Sequence, residues 1–333
     1  MKRLLITGAS GFIGGFLVEK ALERNYEVFV TVRKTSDRRY LQDNRINFLE
    51  LSLNHRDCLV AELENLKLEH GIFDYVIHNA GITKASRNSD FFQVNEGISR
   101  TLGDALMITQ LIREKFVYIS SLAAAGPGNN DLDPIKIDQE ASPVTAYGES
   151  KLATEQYLNS TKSFPYLILR PCAVFGPRDT ELFTLFDLIN KRLELYIGTD
   201  EQNLSFIYVK DLVDAILSAM ESKEIRKTYF LSDGKRYLIK EFVAAIKLAL
   251  NKKTIKIKVP VMLVSIVAFI QESIMGLFGK VPALNSEKMA ELTSKNWVCD
   301  MEGFFREIDF QPKYDLQTAV NETVAWYKKE KWI

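Results

Sequence analysis

The sequence predicts an α/β fold: a doubly wound parallel sheet with a smaller C-terminal α/β lobe. Three observations predict it. An apolar strand, a glycine turn and an amphipathic helix open the chain between Leu4 and Arg24. Strand-like and helix-like stretches then alternate as far as Arg170, which calls for parallel strands joined by right-handed crossovers. Beyond Arg170 the alternation breaks down and shorter strands mix with helices. A chain of 333 residues can bury a large core in one large or two smaller domains. A dinucleotide-binding unit over 1–170 and a substrate lobe over 171–333 are expected, with some later segments returning to the first sheet.

The opening run Leu4-Leu5-Ile6 reads as a buried strand. Gly8, Gly11 and Gly14 follow, and Phe12, Phe16, Leu17 and Leu22 mark one face of a helix. Strand, glycine turn and helix together form the start of a Rossmann dinucleotide-binding unit. Gly8 permits the tight turn, Gly11 lets backbone approach a pyrophosphate, and Gly14 lets the helix pack close to the strand. The helix start offers unpaired N–H groups and a positive dipole end to phosphates. Gly8, Ser10, Gly11, Phe12, Ile13 and Gly14 are the expected contacts.

Tyr26 to Val32 reads as the second strand. A site for NAD places an acidic residue at its end, on the ribose 2′-hydroxyl. This chain has Arg33, followed by Lys34, and an arginine there accepts a 2′-phosphate through paired N–H bonds. NADP is therefore the expected cofactor, with NAD the alternative. Ile46 to Leu49 reads as the third strand, with Ser52 and Leu53 in the turn after it. Asp74 to His78 reads as the fourth, followed by the small-residue turn Asn79-Ala80-Gly81, where a nucleotide would rest. His78 lies within a buried strand and reads as structural. A helix is expected over Phe91 to Leu111, with Val94, Ile98, Leu102 and Leu106 on one face. Lys115 to Ile119 is the fifth strand, ending in Ser120-Ser121.

After Pro143 the pattern turns helical through Tyr157. Tyr147 and Lys151 are i and i+4 and share a helix face. A free phenol has a pKa of about 10 and is a poor base at neutral pH. A nearby ammonium favours the phenolate, and the pair can then move a proton to or from a substrate oxygen. Ser121 can hydrogen-bond the same oxygen, while the nicotinamide carries the hydride. Ser121, Tyr147 and Lys151 are the candidate catalytic residues, and no metal is required.

Composition excludes several classes. Lys+Arg and Asp+Glu are equal at 43 each, which argues against a nucleic-acid surface. A hydrophobic content of 47% is ordinary for a soluble protein. Cys58, Cys172 and Cys299 are far apart in sequence and odd in number, which fits a reducing compartment. The chain enters a strand at once, and a cytoplasmic protein without a secretory leader is expected.

The chain resembles the extended short-chain dehydrogenase/reductases, the NAD-dependent epimerase/dehydratase family. The resemblance rests on Thr7-Gly8-x-x-Gly11-x-x-Gly14, His78-Asn79-Ala80-Gly81, Val94-Asn95 with Gly97, Ser120-Ser121 with Gly126, Tyr147-x-x-x-Lys151, and Leu169-Arg170-Pro171-x-x-Val174-Phe175-Gly176-Pro177-Arg178. It implies that Ser121, Tyr147 and Lys151 form the catalytic triad and that Asn95 supports the proton relay. It also implies that Lys151 holds the nicotinamide ribose, that Pro171 to Val174 face the nicotinamide, and that the protein is a homodimer. Ser52 stands where the family has an acidic residue near the adenine.

Two branches compete. Arg33, Lys84, Ala123-Ala124-Ala125-Gly126-Pro127 and Trp326-Tyr327-x-x-x-x-Trp332 resemble the dihydroflavonol-reductase and 3β-hydroxysteroid-dehydrogenase-like branch. That branch implies interconversion of a hydroxyl and a carbonyl on a rather apolar small molecule. Sugar-nucleotide epimerases and dehydratases are the alternative. Arg178 would suit their diphosphate, or equally a structural salt bridge. A cofactor-binding protein without catalysis is a third class, against which the intact Ser, Tyr and Lys argue.

In the second half, Leu204 to Val209 reads as a strand, Asp211 as an N-cap, and Leu212 to Met220 as a helix. Thr228 to Leu231 and Ile239 to Leu250 read as a further strand and helix. Val259 to Phe278 is the most apolar stretch. Adjacent Gln271 and Glu272 near its middle argue against a transmembrane span. A helix packed on the lobe, or peripheral contact with a membrane through 259–278, remain the two readings. Trp297, Trp326 and Trp332 are expected to pack.

Overall fold

The computed structural model describes residues 1–130, 133–198, 201–266, 268 and 286–333. The first six strands are β1 (Arg3–Thr7), β2 (Glu27–Thr31), β3 (Asn47–Leu49), β4 (Phe73–His78), β5 (Ile112–Ile119) and β6 (Tyr166–Pro171). After them come β7 (Ala173–Phe175), β8 (Leu193–Ile197), β9 (Asn203–Leu204), β10 (Phe206–Tyr208), β11 (Lys227–Leu231), β12 (Tyr237–Leu238), β13 (Ile255–Val259) and β14 (Asn296–Trp297). Seven of these form one sheet in the order β3-β2-β1-β4-β5-β6-β11, and every pairing in it is parallel. The order reverses at β1 and β4, which opens a crevice at the carboxyl ends of those strands.

Side-chain alternation along each strand divides the interior into two layers. Leu4, Ile6, Val28, Val30, Ile77, Val117 and Leu169 enter one core, which continues through residues 172–327. Leu5, Phe29, Val76, Phe116, Tyr118 and Ile168 enter the other. Against the first core lie helices α1 (Phe12–Glu23) and, later, α7 (Val209–Glu221). Against the second lie α2 (Arg56–His70), α4 (Ile98–Thr109) and α5 (Ala146–Ser160). The short α3 (Asn88–Phe91) and α6 (Phe183–Asn190) complete the order to that point. Each fully buried aliphatic side chain in these layers contributes about 1.5–3 kcal/mol. The remaining helices are α8 (Ile239–Leu250), α9 (Ser286–Thr293), α10 (Glu302–Glu307) and α11 (Leu316–Lys329).

Several local expectations need correction. The helix expected over 91–111 is three pieces: α3, a π-helical turn over Phe92–Gly97, and α4. It ends at Gln110, whose left-handed backbone stops it, and β5 starts at Ile112 rather than Lys115. The strand expected over 204–209 is β9 and β10, and Val209 already belongs to α7. Asp211 does not cap that helix, since Tyr208 holds the cap position. Its carboxylate instead accepts the backbone N–H groups of Lys313 (3.0 Å) and Tyr314 (3.1 Å), so it fastens a distant loop.

Cys172 and Cys299, far apart in sequence, are both buried, and burial pushes the Cys172 thiol well up. Trp326 and Trp332 pack together and against Tyr327. Of the apolar stretch 259–278, residues 267 and 269–278 lie outside the described residues. Among the described residues no helix is long and apolar enough to cross a membrane.

Candidate active site

The glycine turn is shaped by close contact rather than by flexibility. Gly8 has φ +70°, and a Cβ there would stand 2.7 Å from the backbone of Asn79 and Ala80. A Cβ on Gly14 would stand 2.1 Å from the Gly8 carbonyl oxygen. The loop after β1 is thereby held against the turn after β4. Two side chains fasten the joint: Thr7 Oγ1 accepts the Ala80 N–H at 3.1 Å, and Asn79 Nδ2 donates to the Gly8 carbonyl at 3.4 Å. Gly11 caps α1 without any side-chain cap, which leaves the first-turn amides of Phe12 and Ile13 unclaimed by a capping group. A side-chain-free cradle at a helix N-terminus fits a dinucleotide pyrophosphate.

Beyond this cradle, Gly81 is hemmed in. Its missing Cβ would lie 2.9 Å from Asn95 Oδ1 and 3.3 Å from Lys151 Nζ. The Lys151 ammonium donates to the Ile119 carbonyl at 2.9 Å and sits 5.0 Å over the Tyr118 ring. Tyr147, one turn earlier on α5, stands near enough to Ser121 for that hydroxyl to act on its phenol. Thr145 sets where α5 starts, accepting the Gly148 N–H at 3.0 Å. Gly148 lets the helix press on residues 122–124, since a Cβ there would stand 2.3 Å from the Ala123 carbonyl oxygen. Ser121, Tyr147 and Lys151 therefore gather at the carboxyl ends of β4 and β5.

The electrostatics differ from the simple picture of a lysine lowering a phenol. Burial pushes the Tyr147 phenol up to about 12, the Ser121 hydrogen bond pulls it back, and the charges of Glu181 and Glu291 push it up further. Burial also lowers Lys151 to about 8, while the Glu155 carboxylate opposes that fall. In this geometry the ammonium is aimed at Ile119 and the Gly81 turn. Desolvation thus outweighs the lysine's influence on the phenol.

Glu155 was not singled out from the sequence. It lies one turn beyond Lys151, accepts the Ser120 hydroxyl at 2.5 Å, and receives both Nε and Nη2 of Arg170, the latter at 2.5 Å. Both members of the ion pair are buried. Its position at i+4 from Lys151 was the available signal.

Asn95 sits in the π-helical turn. Its side chain accepts the Ile82 N–H at 2.8 Å and donates to the Ile82 carbonyl and to Ser150 Oγ, which fixes the turn carrying Gly81. Its carbonyl accepts the hydroxyls of Ser99 and Thr154. Helix α9 borders the same site: Glu287 accepts the Ala146 N–H at 3.1 Å and Asn88 Nδ2 at 2.8 Å.

His78 is fully buried between Thr7 Oγ1 (2.7 Å from Nδ1) and Ser99 Oγ (2.8 Å from Nε2). Burial, aided by the Lys151 charge, lowers its pKa to about 3, so it is a neutral spacer. The unfolded chain binds a proton at His78 near pH 6.5 that the folded chain refuses until about pH 3. Stability therefore falls as pH drops below 6.5, by about 2 kcal/mol at pH 5 from this group alone. Asp179 acts oppositely: burial raises it to about 6, so protonating it favours the fold. Thermal unfolding between pH 7 and 5 should lose the His78 share of that slope in His78→Gln; an unchanged slope would assign the effect elsewhere.

The remaining expected cofactor residues divide. Arg33 lies just past β2, next to β1 in the sheet, with its side chain exposed. Pro171 closes β6 and Val174 is half-buried in β7. Leu53 packs on the second core. The polar groups of Ser52 are both taken by Glu62, whose carboxylate accepts its N–H (2.7 Å) and hydroxyl (2.6 Å). A carboxylate is thus supplied to that turn from α2, which no local spacing announces. Arg178 makes the salt bridge of the structural alternative, while its Nε and Nη1 are buried without a hydrogen-bond partner among the described residues. It pairs with Glu19 at 2.8 Å and lies between the Phe16 and Tyr40 rings at 4.3 and 4.1 Å.

The model of the NAD dependent epimerase/dehydratase family matches residues 4–231. Over 258 residues the chain is 28% identical to a putative UDP-glucose 4-epimerase of Methanocaldococcus jannaschii, covering 73% of this chain and 81% of that one. Over 330 residues it is 24% identical to a ceramide reductase of Caulobacter vibrioides, covering 98% and 95%. The fold is similar to a crystal structure of a UDP-glucose 4-epimerase from Thermotoga maritima, with a TM-score of 0.79, 20% identity and 99% of both chains covered.

Proposed function

Because this chain belongs to the NAD-dependent epimerase/dehydratase family of enzymes, we propose that it interconverts a hydroxyl and a carbonyl on an apolar small molecule, preferring NADP. When bound, the nicotinamide gives or takes the hydride. Tyr147 Oη gives or takes the proton at the substrate oxygen, and the Ser121 hydroxyl holds that oxygen in place. Lys151, with a pKa near 8, is mostly an ammonium at pH 7 and holds the ribose beside the Gly81 turn. The Phe12 and Ile13 amides and the glycine backbone receive the pyrophosphate.

One observation carries the choice of substrate. The charges that act on the Tyr147 phenol are carboxylates, Glu181 and Glu291. They disfavour a phosphorylated group beside the reacting oxygen, and Arg178, the candidate diphosphate ligand, already pairs with Glu19 through Nη2. The near end-to-end likeness to a ceramide reductase supports the same reading. The sugar-nucleotide alternative is favoured by the relative in M. jannaschii.

Nicotinamide absorbance should change with long-chain alcohols or ketones and not with UDP-sugars. Turnover confined to UDP-sugars, with UDP raising the melting temperature, would reverse the assignment. Arg33→Ala should weaken NADP binding by about 10- to 100-fold, the worth of a charge-assisted bond to a phosphate, and leave NAD unchanged. Titration of both cofactors by fluorescence measures that ratio, and an unaltered ratio removes Arg33 from the site.

A further inference from the structure

Strands β8 and β13 pair in parallel as a separate two-stranded sheet, with Leu193 opposite Ile255, Leu195 opposite Ile257 and Ile197 opposite Val259. Its polarity is inverted. Glu194 and Tyr196 point inward and are buried, and Glu194 there collects Tyr196, Lys247 and Thr254 as donors. By alternation the six aliphatic residues share the opposite face. That face is open: Leu195, Ile255 and Ile257 are 37%, 67% and 39% exposed. The chain continues through Pro260 into helical residues 261–266. There Val264 is buried with Met289 against Ile197 and Val259, but Met262 and Leu263 are 75% and 56% exposed.

Cations fringe the far end of the strands. Arg192, Lys252 and Lys253 line an open groove with Lys247, Asn251 and the exposed Leu248. Lys247 is paired with Glu194, whereas Arg192, Lys252 and Lys253 have no ion-pair partner among the described residues. No carboxylate lines this groove.

We propose that the outer face of β8 and β13, with Met262 and Leu263, docks this enzyme on an anionic lipid bilayer. Aliphatic side chains enter the acyl boundary and Arg192, Lys252 and Lys253 meet headgroup phosphates. A second copy suits the patch less well, because a twofold contact must be self-complementary and the patch offers cations without carboxylates. The inference deepens the apolar-substrate reading, on which its purpose rests: an enzyme acting on lipid-like molecules gains access to them at the surface.

Co-sedimentation with vesicles tests it, using phosphatidylcholine alone or mixed with phosphatidylglycerol. The wild-type protein should sediment with the anionic vesicles and release at high salt. Lys252→Ala with Lys253→Ala should weaken binding about 30-fold, from the usual contribution of a lysine near an anionic surface. Met262→Asp with Leu263→Asp should abolish it. The lysine pair lies on the surface and keeps the test decisive if the second variant does not fold. No sedimentation, equal sedimentation with both vesicle types, or variants that only turn a dimer into a monomer would each overturn the inference. Turnover of water-soluble ketones, measured without vesicles, reports separately on the reading of the active site.

Discussion

Tyr147→Phe should lower turnover by about 10³-fold, within the usual range for losing a positioned acid/base, while leaving dinucleotide binding intact. The substitution deletes one hydroxyl and keeps the ring, so the edge contact with Phe91 at 6.1 Å survives. It leaves Ser121 still accepting the Ala123 N–H at 3.1 Å, so the short helical turn after β5 stays in place. Cofactor affinity from fluorescence and kcat from nicotinamide absorbance separate binding from chemistry. Full turnover in this variant would remove the phenol from the reaction. A matching loss of cofactor affinity would mark it as structural.

The second large effect lies beneath the site. Glu155→Ala should destabilise the fold by about 3–5 kcal/mol, because it strands a buried guanidinium. Arg170 would lose both Glu155 contacts and Ser120 its acceptor. The melting temperature should fall by roughly 4–7 °C for a chain of 333 residues. Replacing both partners, Glu155→Leu with Arg170→Met, should recover much of the loss, since no charge is then left alone. A melting temperature within 2 °C of wild type would show that the pair is dispensable.

The same variant touches the chemistry. Glu155 opposes the fall of the Lys151 pKa, so without it the ammonium loses its proton at lower pH than about 8. The alkaline limb of the activity profile should move down in pH accordingly, which a purely structural defect would not produce.

What the sequence disclosed and what it concealed follow from how contacts are made. The glycine turn and the Tyr147–Lys151 pair are local: their geometry follows from spacing within one turn and one helix. The unbroken apolar run Leu4-Leu5-Ile6 likewise announced a buried strand. The Glu155–Arg170 pair depends instead on where α5 crosses β6, and Glu62 reaches Ser52 across a loop. Asp211 looked like a helix cap because its type and place suit one, yet its partners lie about a hundred residues on. Arg178 was ambiguous because only packing decides between a ligand and the Phe16–Tyr40 sandwich. The π-helical turn over Phe92–Gly97 was hidden because Val94, Ile98, Leu102 and Leu106 are four apart, a spacing that α-helical and π-helical turns both accommodate.

That turn fixes a length. Each helical residue advances the chain by about 100°, so removing one residue between Phe92 and Gly97 would rotate all of α4 by that angle about its axis. Leu102 and Leu106, now buried against the sheet, would swing sideways, and Ile108, now on the solvent side, would turn with them. The segment therefore admits changes of residue far more readily than a deletion, whereas the exposed loop after β2 faces no such constraint of phase.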